Sequence, residues 1–186
     1  MLPLSTALLL LNLQKAWDEP HWGSRNHPEA ESRIQELLAA FRRSGRPVIH
    51  VRQDSPDPHS PLHPAEPGHA FKSGFEPLTG EAVLGASVYC AFSGTELEQF
   101  LRHRGLDRLV IVGFSAAHHV SSTVRMAADL GFKVLLVRDA VVSFELEDAE
   151  GKVMSPDEIH RVVLAELHGT FGAVLELASI LPHLQG

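Results

Sequence analysis

Residues 110–126 read VIVGFSAAHHVSSTVRM and bring a hydroxyl, Ser115, and two adjacent imidazoles, His118 and His119, into one short stretch. Before them runs an apolar segment, residues 109–112, closed by Gly113. That segment predicts a buried parallel strand. After them Val120, Val124 and Ala127 recur at helical spacing up to Leu130 and Gly131. In open α/β sheets, ligands sit beyond the carboxyl ends of strands, often against a helix N-terminus. A helix start also favours the neutral imidazole, the form that can act as a base or nucleophile. The same pattern equally describes a plain connection with two histidines on a solvated helix start.

Other side chains compete for a role. Asn12, Gln14, Trp17 and Trp22 follow the first apolar run. An amide there meets a ligand or bonds local backbone. Lys72 lies in a long loop, where a lysine is ordinarily solvated. Cys90 is the single thiol, and a free cysteine commonly packs as a small apolar group. Asp139 stands where another strand is expected to end, as a cap or a ligand-facing group. The twelve histidines are scattered without H-E-x-x-H spacing. Adjacent His118 and His119 point in different directions on a helix, so one metal ion does not take both. We therefore expect neither a metal site nor a cofactor.

The elements that must position these groups alternate. Residues 6–13 (TALLLLNL) predict a central strand covered on both faces. A helix opens near Pro28, shows Ile34, Leu37, Leu38 and Phe41 on one face, and stops at Gly45. Residues 47–51 predict the second strand. Residues 53–79 are rich in Pro, His, Ser and Gly without periodicity, which predicts a functional loop or covering flap. Strands follow at residues 81–84, 109–112 and 132–137, with a last one at 172–175. Helices are expected from a Ser93/Glu96 capping box to Arg104, and from a Ser155/Glu158 box with Pro156 to His168. Residues 145–152 read as exposed acidic chain, and residues 178–181 as a terminal turn. The alternation predicts one α/β domain over residues 1–186, with a mainly parallel sheet between two helical layers.

A chain of 186 residues suffices for one sizeable core. A net charge of −7 without a basic patch argues against nucleic acid. The first apolar run is too short to span a membrane and lacks the flanks of a signal peptide. With one cysteine there is no internal disulfide framework. We expect a soluble, cytoplasmic protein.

Three segments together resemble the isochorismatase-like cysteine hydrolases, which include isochorismatases, nicotinamidases and carbamoylsarcosine amidohydrolases. ALLLLNLQKAW resembles the family's first strand. The block SVYCAFSGTELEQFLRHRGLDRLVIVGFSAAHHVSSTVRMAADLGF resembles its central part, and IHRVVLAELHGTFGAVL resembles the tail of one branch. The resemblance implies a three-layer α/β/α, Rossmann-like fold and a homo-oligomer. It implies an Asp base, a supporting Lys and a Cys nucleophile whose thiolate the helix dipole and the lysine favour. In this chain those positions hold Asn12, Ala86 and His119. The resemblance places Trp17, Tyr89, Cys90, Phe92, Phe114, Ser115, Ala116 and His118 around the pocket. It also implies a cis peptide at Phe114–Ser115. The expected function is a relative that has lost cysteine chemistry and binds an unidentified small molecule or assembles with a partner. The alternative is a hydrolase of C–N, ester or ether bonds rewired around His119, with Cys90 assisting or Lys72 filling the space beside Ala86.

Overall fold

A computed structural model describes residues 1–184. Six strands form one sheet in the order β3-β2-β1-β4-β5-β8, and every neighbouring pair is parallel. They are β1 (Thr6–Leu11), β2 (Val48–Gln53), β3 (Ala82–Ala86), β4 (Arg108–Phe114), β5 (Lys133–Val142) and β8 (Ala173–Leu175). The helices are α1 (Ala30–Arg43), α2 (Leu97–His103), α3 (Ser121–Asp129), α4 (Pro156–Leu167) and α5 (Leu177–Ile180). Two short strands, β6 (Leu146–Glu147) and β7 (Val153–Met154), make a separate antiparallel pair.

The alternation of side chains along β1 explains the layers. Leu8 and Leu10 face one core with Ile34, Leu37 and Phe41 of α1 and Leu177 and Ile180 of α5. Leu9 and Leu11 face the other, with Leu97 and Leu101 of α2, Val120 and Val124, and Leu164 and Leu167 of α4. A strand covered on both faces must be apolar throughout, and all six residues of β1 are buried. The three-layer α/β/α expectation therefore holds.

Three local expectations change. Ser93 does not cap α2: its N-cap is Glu96, with no side-chain cap. The Thr95 hydroxyl instead donates to the Ala91 carbonyl at 2.5 Å, giving the turn before the helix its own hydrogen bond. Asp139 does not end β5, which continues to Val142 after a register shift against β4. Its carboxylate accepts from the Leu177 amide at 2.9 Å and pairs with Arg33, tying α5 and α1 to the sheet edge. Residues 145–152 are not plain exposed chain, because Leu146 and Glu147 pair with Met154 and Val153. The Ser155/Glu158 capping box is present at the start of α4.

Strand order reverses between β1 and β4, one leading toward β2 and the other toward β5. The crevice beyond the carboxyl ends of such a pair is where α/β sheets place ligands. Leu11 of β1 pairs there with Gly113 of β4. Gly113 has φ of 122°, and a Cβ at this position would stand 2.0 Å from the Leu11 carbonyl oxygen. Only glycine allows the two strands to end side by side.

Candidate functional site

Asn12 follows β1 directly and adopts the left-handed conformation, φ 57°, which asparagine tolerates better than most residues. The peptide Phe114–Ser115 at the end of β4 is cis. From Ser115 the chain makes a single π-turn, Ala116–Val120, closed by the Val120 amide donating to the Ser115 carbonyl at 3.1 Å, before α3 begins. Wide turns of this kind concentrate at functional sites because they re-aim side chains. Here the turn sends the neighbouring histidines to different places. His119 goes inward, 1 % exposed, and His118 goes to solvent and the pocket.

The Asn12 carboxamide Nδ2 donates to the Phe114 carbonyl at 2.8 Å and to His119 Nδ1 at 2.8 Å. The Phe114 carbonyl fixes the amide's orientation, since Oδ1 in that place would face another oxygen. His119 Nδ1 must then be an acceptor. The ring is neutral, with its proton on Nε2. Burial pushes the His119 pKa down to about 4, which agrees with that assignment. Neither His119 Nε2 nor Asn12 Oδ1 has a hydrogen-bond partner among the described residues. With Nδ1 occupied and Nε2 protonated, His119 has no free nitrogen lone pair. It can donate a hydrogen bond but cannot attack a carbonyl or take up a proton.

Two of the three positions that the resemblance singles out, 12 and 119, thus meet in one hydrogen bond. Ala86 ends β3 on the same edge of the sheet, but two strands from Asn12. It is buried in the core shared with Ala91, Ala116 and Val120. Lys72 does not fill the space beside it. Its Nζ pairs with Asp18 and, at 2.9 Å, with Glu31, and stands 4.9 Å from the centre of the Phe114 ring in the other core. Burial raises the Glu31 pKa, but Arg25 and Lys72 outweigh it and hold the carboxyl at about 2. Lys72 is therefore a partner in a charge network and not a free lysine. Cys90 is also turned away, its Sγ 3.9 Å from the Ser122 carbonyl.

A pocket of about 250 Å³ opens above the turn. Of the residues expected around it, Trp17, Tyr89, Ser115 and His118 line it. Phe114, Phe92, Ala116 and Cys90 lie outside its lining. Phe114 stacks beneath Trp17 with ring centres 6.2 Å apart, and Phe92 stacks on Phe132. Ala116 and Cys90 are buried. The Ser115 hydroxyl is 3.1 Å from His118 Nδ1, and the Tyr89 ring leans on His118 with centres 5.7 Å apart. Burial lowers the His118 pKa, so this pair is uncharged at neutral pH.

The remaining walls come from two segments, of which only the loop after β2 carried a sequence signal. Phe144, Glu145 and Leu146 arrive from beyond β5, and Ser55, Ser60 and Leu62 from the loop after β2. That loop is held down by Gln14. Its Nε2 donates to the carbonyls of Gln53 and His69 at 3.0 and 3.1 Å, and its Oε1 accepts from the Gln53 amide at 2.8 Å. The loop was expected to cover or serve a site, and part of it does form a wall. The pairing of Trp17 with Trp22, ring centres 4.6 Å apart, builds the aromatic side.

Comparison with known proteins fits this geometry. Residues 6–178 match the model of the isochorismatase domain. The chain is 37 % identical over 169 residues to the isochorismatase family protein YrdC of Bacillus subtilis, covering 91 % of this chain and 90 % of that one. Among solved structures, an isochorismatase-family protein from Chromobacterium violaceum is 44 % identical with a TM-score of 0.95, covering 99 % of this chain and 95 % of that one. An isochorismatase from Pseudomonas putida is 34 % identical with a TM-score of 0.88, covering 96 % and 91 %.

Proposed function

This chain belongs to the isochorismatase family, and from that premise we propose that it binds a small molecule in the pocket at the β1/β4 crevice without hydrolysing it by cysteine chemistry. The observation that carries the reading is the Asn12–His119 hydrogen bond. It occupies the positions that the family resemblance gives to a base and a nucleophile. It joins an amide that cannot take a proton to an imidazole whose acceptor nitrogen is already used. Cysteine catalysis needs a thiolate beside a proton acceptor, and the chain's one thiol faces the Ser122 carbonyl outside the pocket. What remains is a partly open aromatic pocket with hydroxyls and an imidazole in its lining, the usual composition of a small-molecule site.

Two measurements on the purified protein test this. The first is hydrolysis of nicotinamide, isochorismate and a simple aryl ester, before and after thiol alkylation. No alkylation-sensitive turnover is expected. Turnover that alkylation abolishes would assign catalysis to Cys90 and overturn the proposal. The second is ligand-dependent change in Trp17 and Trp22 fluorescence across a small-molecule library. Saturable changes that a bulky substitution such as Ala117→Trp removes support binding in the pocket. A library that gives no saturable change would count against it.

A further inference from the structure

The pocket's walls are strongly biased in charge and in aromaticity. None of the lining residues is a lysine or an arginine, and the one ionised side chain among them is Glu145. Glu145 accepts from the Ser24 hydroxyl, which lowers its pKa and keeps it charged. Trp17, Trp22, Phe144 and Tyr89 make up the aromatic share. Phe144 lies against both indoles, with centres 5.6 Å from Trp17 and 6.4 Å from Trp22, and Tyr89 across from them is 56 % exposed. Ser55 and Ser60 each have a hydroxyl oxygen already accepting from backbone amides.

We infer that the pocket is selective for an organic ammonium ion carried on a small apolar or aromatic body. This inference rests on the reading of the pocket as a binding site. The face of an aromatic ring carries negative charge density and attracts cations, and Phe144 and Tyr89 offer such rings beside the stacked indoles. A carboxylate at the mouth supplies an acceptor for N–H groups, whereas an anionic ligand would meet Glu145 with no cation in the lining to answer it. The protein already uses this aromatic stack in the same way. Phe114, beneath Trp17, carries the Lys72 ammonium at 4.9 Å and the Arg25 guanidinium at 5.6 Å. Those two cations are matched by the carboxylates of Asp18 and Glu31, so they do not set up a net positive field against a further cation.

Three probes of nearly equal shape isolate the charge: benzylamine, benzyl alcohol and benzoate, titrated at pH 7.5 with tryptophan fluorescence and ligand-observed NMR. Benzylamine is expected to bind at least about fivefold more tightly than benzyl alcohol, and benzoate more weakly than either. Glu145→Gln should weaken benzylamine several-fold and leave benzyl alcohol unchanged. Trp22→Leu should weaken both. If benzyl alcohol or benzoate binds as well as benzylamine, the pocket reading stands and the cation selectivity is wrong. If none of the three binds, the ammonium inference is wrong, and the library titration alone decides whether the pocket binds a small molecule.

Discussion

The buried neutral His119 makes a quantitative claim about stability against pH. Its ordinary pKa of 6.5 falls to about 4 in the folded protein because the ring is desolvated. Between those values the unfolded chain binds a proton that the native state refuses. Stability from this group is therefore complete above pH 6.5 and is lost as pH falls toward 4. Integrating over pH 7.5 to 5 gives a loss of about 2 kcal/mol from His119 alone. His160 has the same sign and window, its pKa lowered to about 4 by burial and by His27. His27, His50 and His118 are lowered as well. The wild-type curve alone does not assign the loss, so the perturbation is His119→Gln, whose Oε1 can accept from Asn12 Nδ2 in place of the imidazole. Urea unfolding at half-unit steps from pH 7.5 to 5 would measure both proteins. The variant should lose about 2 kcal/mol less over that range than the wild type. Stopping at pH 5 keeps most Asp and Glu titration out of the comparison. Parallel curves would refute the reasoning, because they would mean that His119 protonates in the native state as readily as in the unfolded one.

Two further outcomes follow from the same geometry. Gly113→Ala should cost about 3–5 kcal/mol or prevent folding, since its Cβ would meet the Leu11 carbonyl at 2.0 Å and neither strand can yield; chemical denaturation measures it. On a Cys90→Ser background, Asn12→Asp with Ala86→Lys and His119→Cys should give a thiol at 119 that alkylates faster and with a lower apparent pKa than His119→Cys alone. Equal rates and equal apparent pKa values would show that the three positions do not act as one site.

Much of the architecture was legible because burial on both faces leaves a plain mark. An unbroken apolar β1 and helices with one apolar stripe admit few arrangements other than a parallel sheet between two helical layers. The end of β4 was legible as the place to look, since a glycine and two histidines there separate a strand from a helix. Composition and periodicity did not show which histidine turns inward; only the family resemblance singled out His119. That direction depends on the π-turn, which shifts the following side chains around the helix axis and has no composition of its own. Phe144 and Glu145 were not legible as pocket walls because β5 runs five residues past its apolar stretch and carries them over the crevice. Lys72 was misplaced for a related reason. Its position follows from Asp18 and Glu31, which lie far away in sequence and gather only when the loop folds over the sheet.

If the positions are aligned as proposed, Asn12, Ala86 and His119 make sense together in a way that each alone does not. An Asp and a Lys in a buried site are tolerable as mutual counter-ions, and removing either strands the other at a cost of several kcal/mol. Alanine at position 86, 1 % exposed, offers no cation. A carboxylate at position 12 would then be buried without a counter-charge, directed at the Phe114 carbonyl that Asn12 now satisfies as a donor. Asparagine keeps the shape, discards the charge and gains two donor hydrogens. Position 119 must then offer an acceptor to the second of them, and a neutral imidazole offers one at 2.8 Å where a protonated thiol is a weak acceptor. On the proposed reading, positions 12, 86 and 119 form a neutral set whose central pair is hydrogen-bonded. Reversing a single position should therefore destabilise the fold before it restores any chemistry.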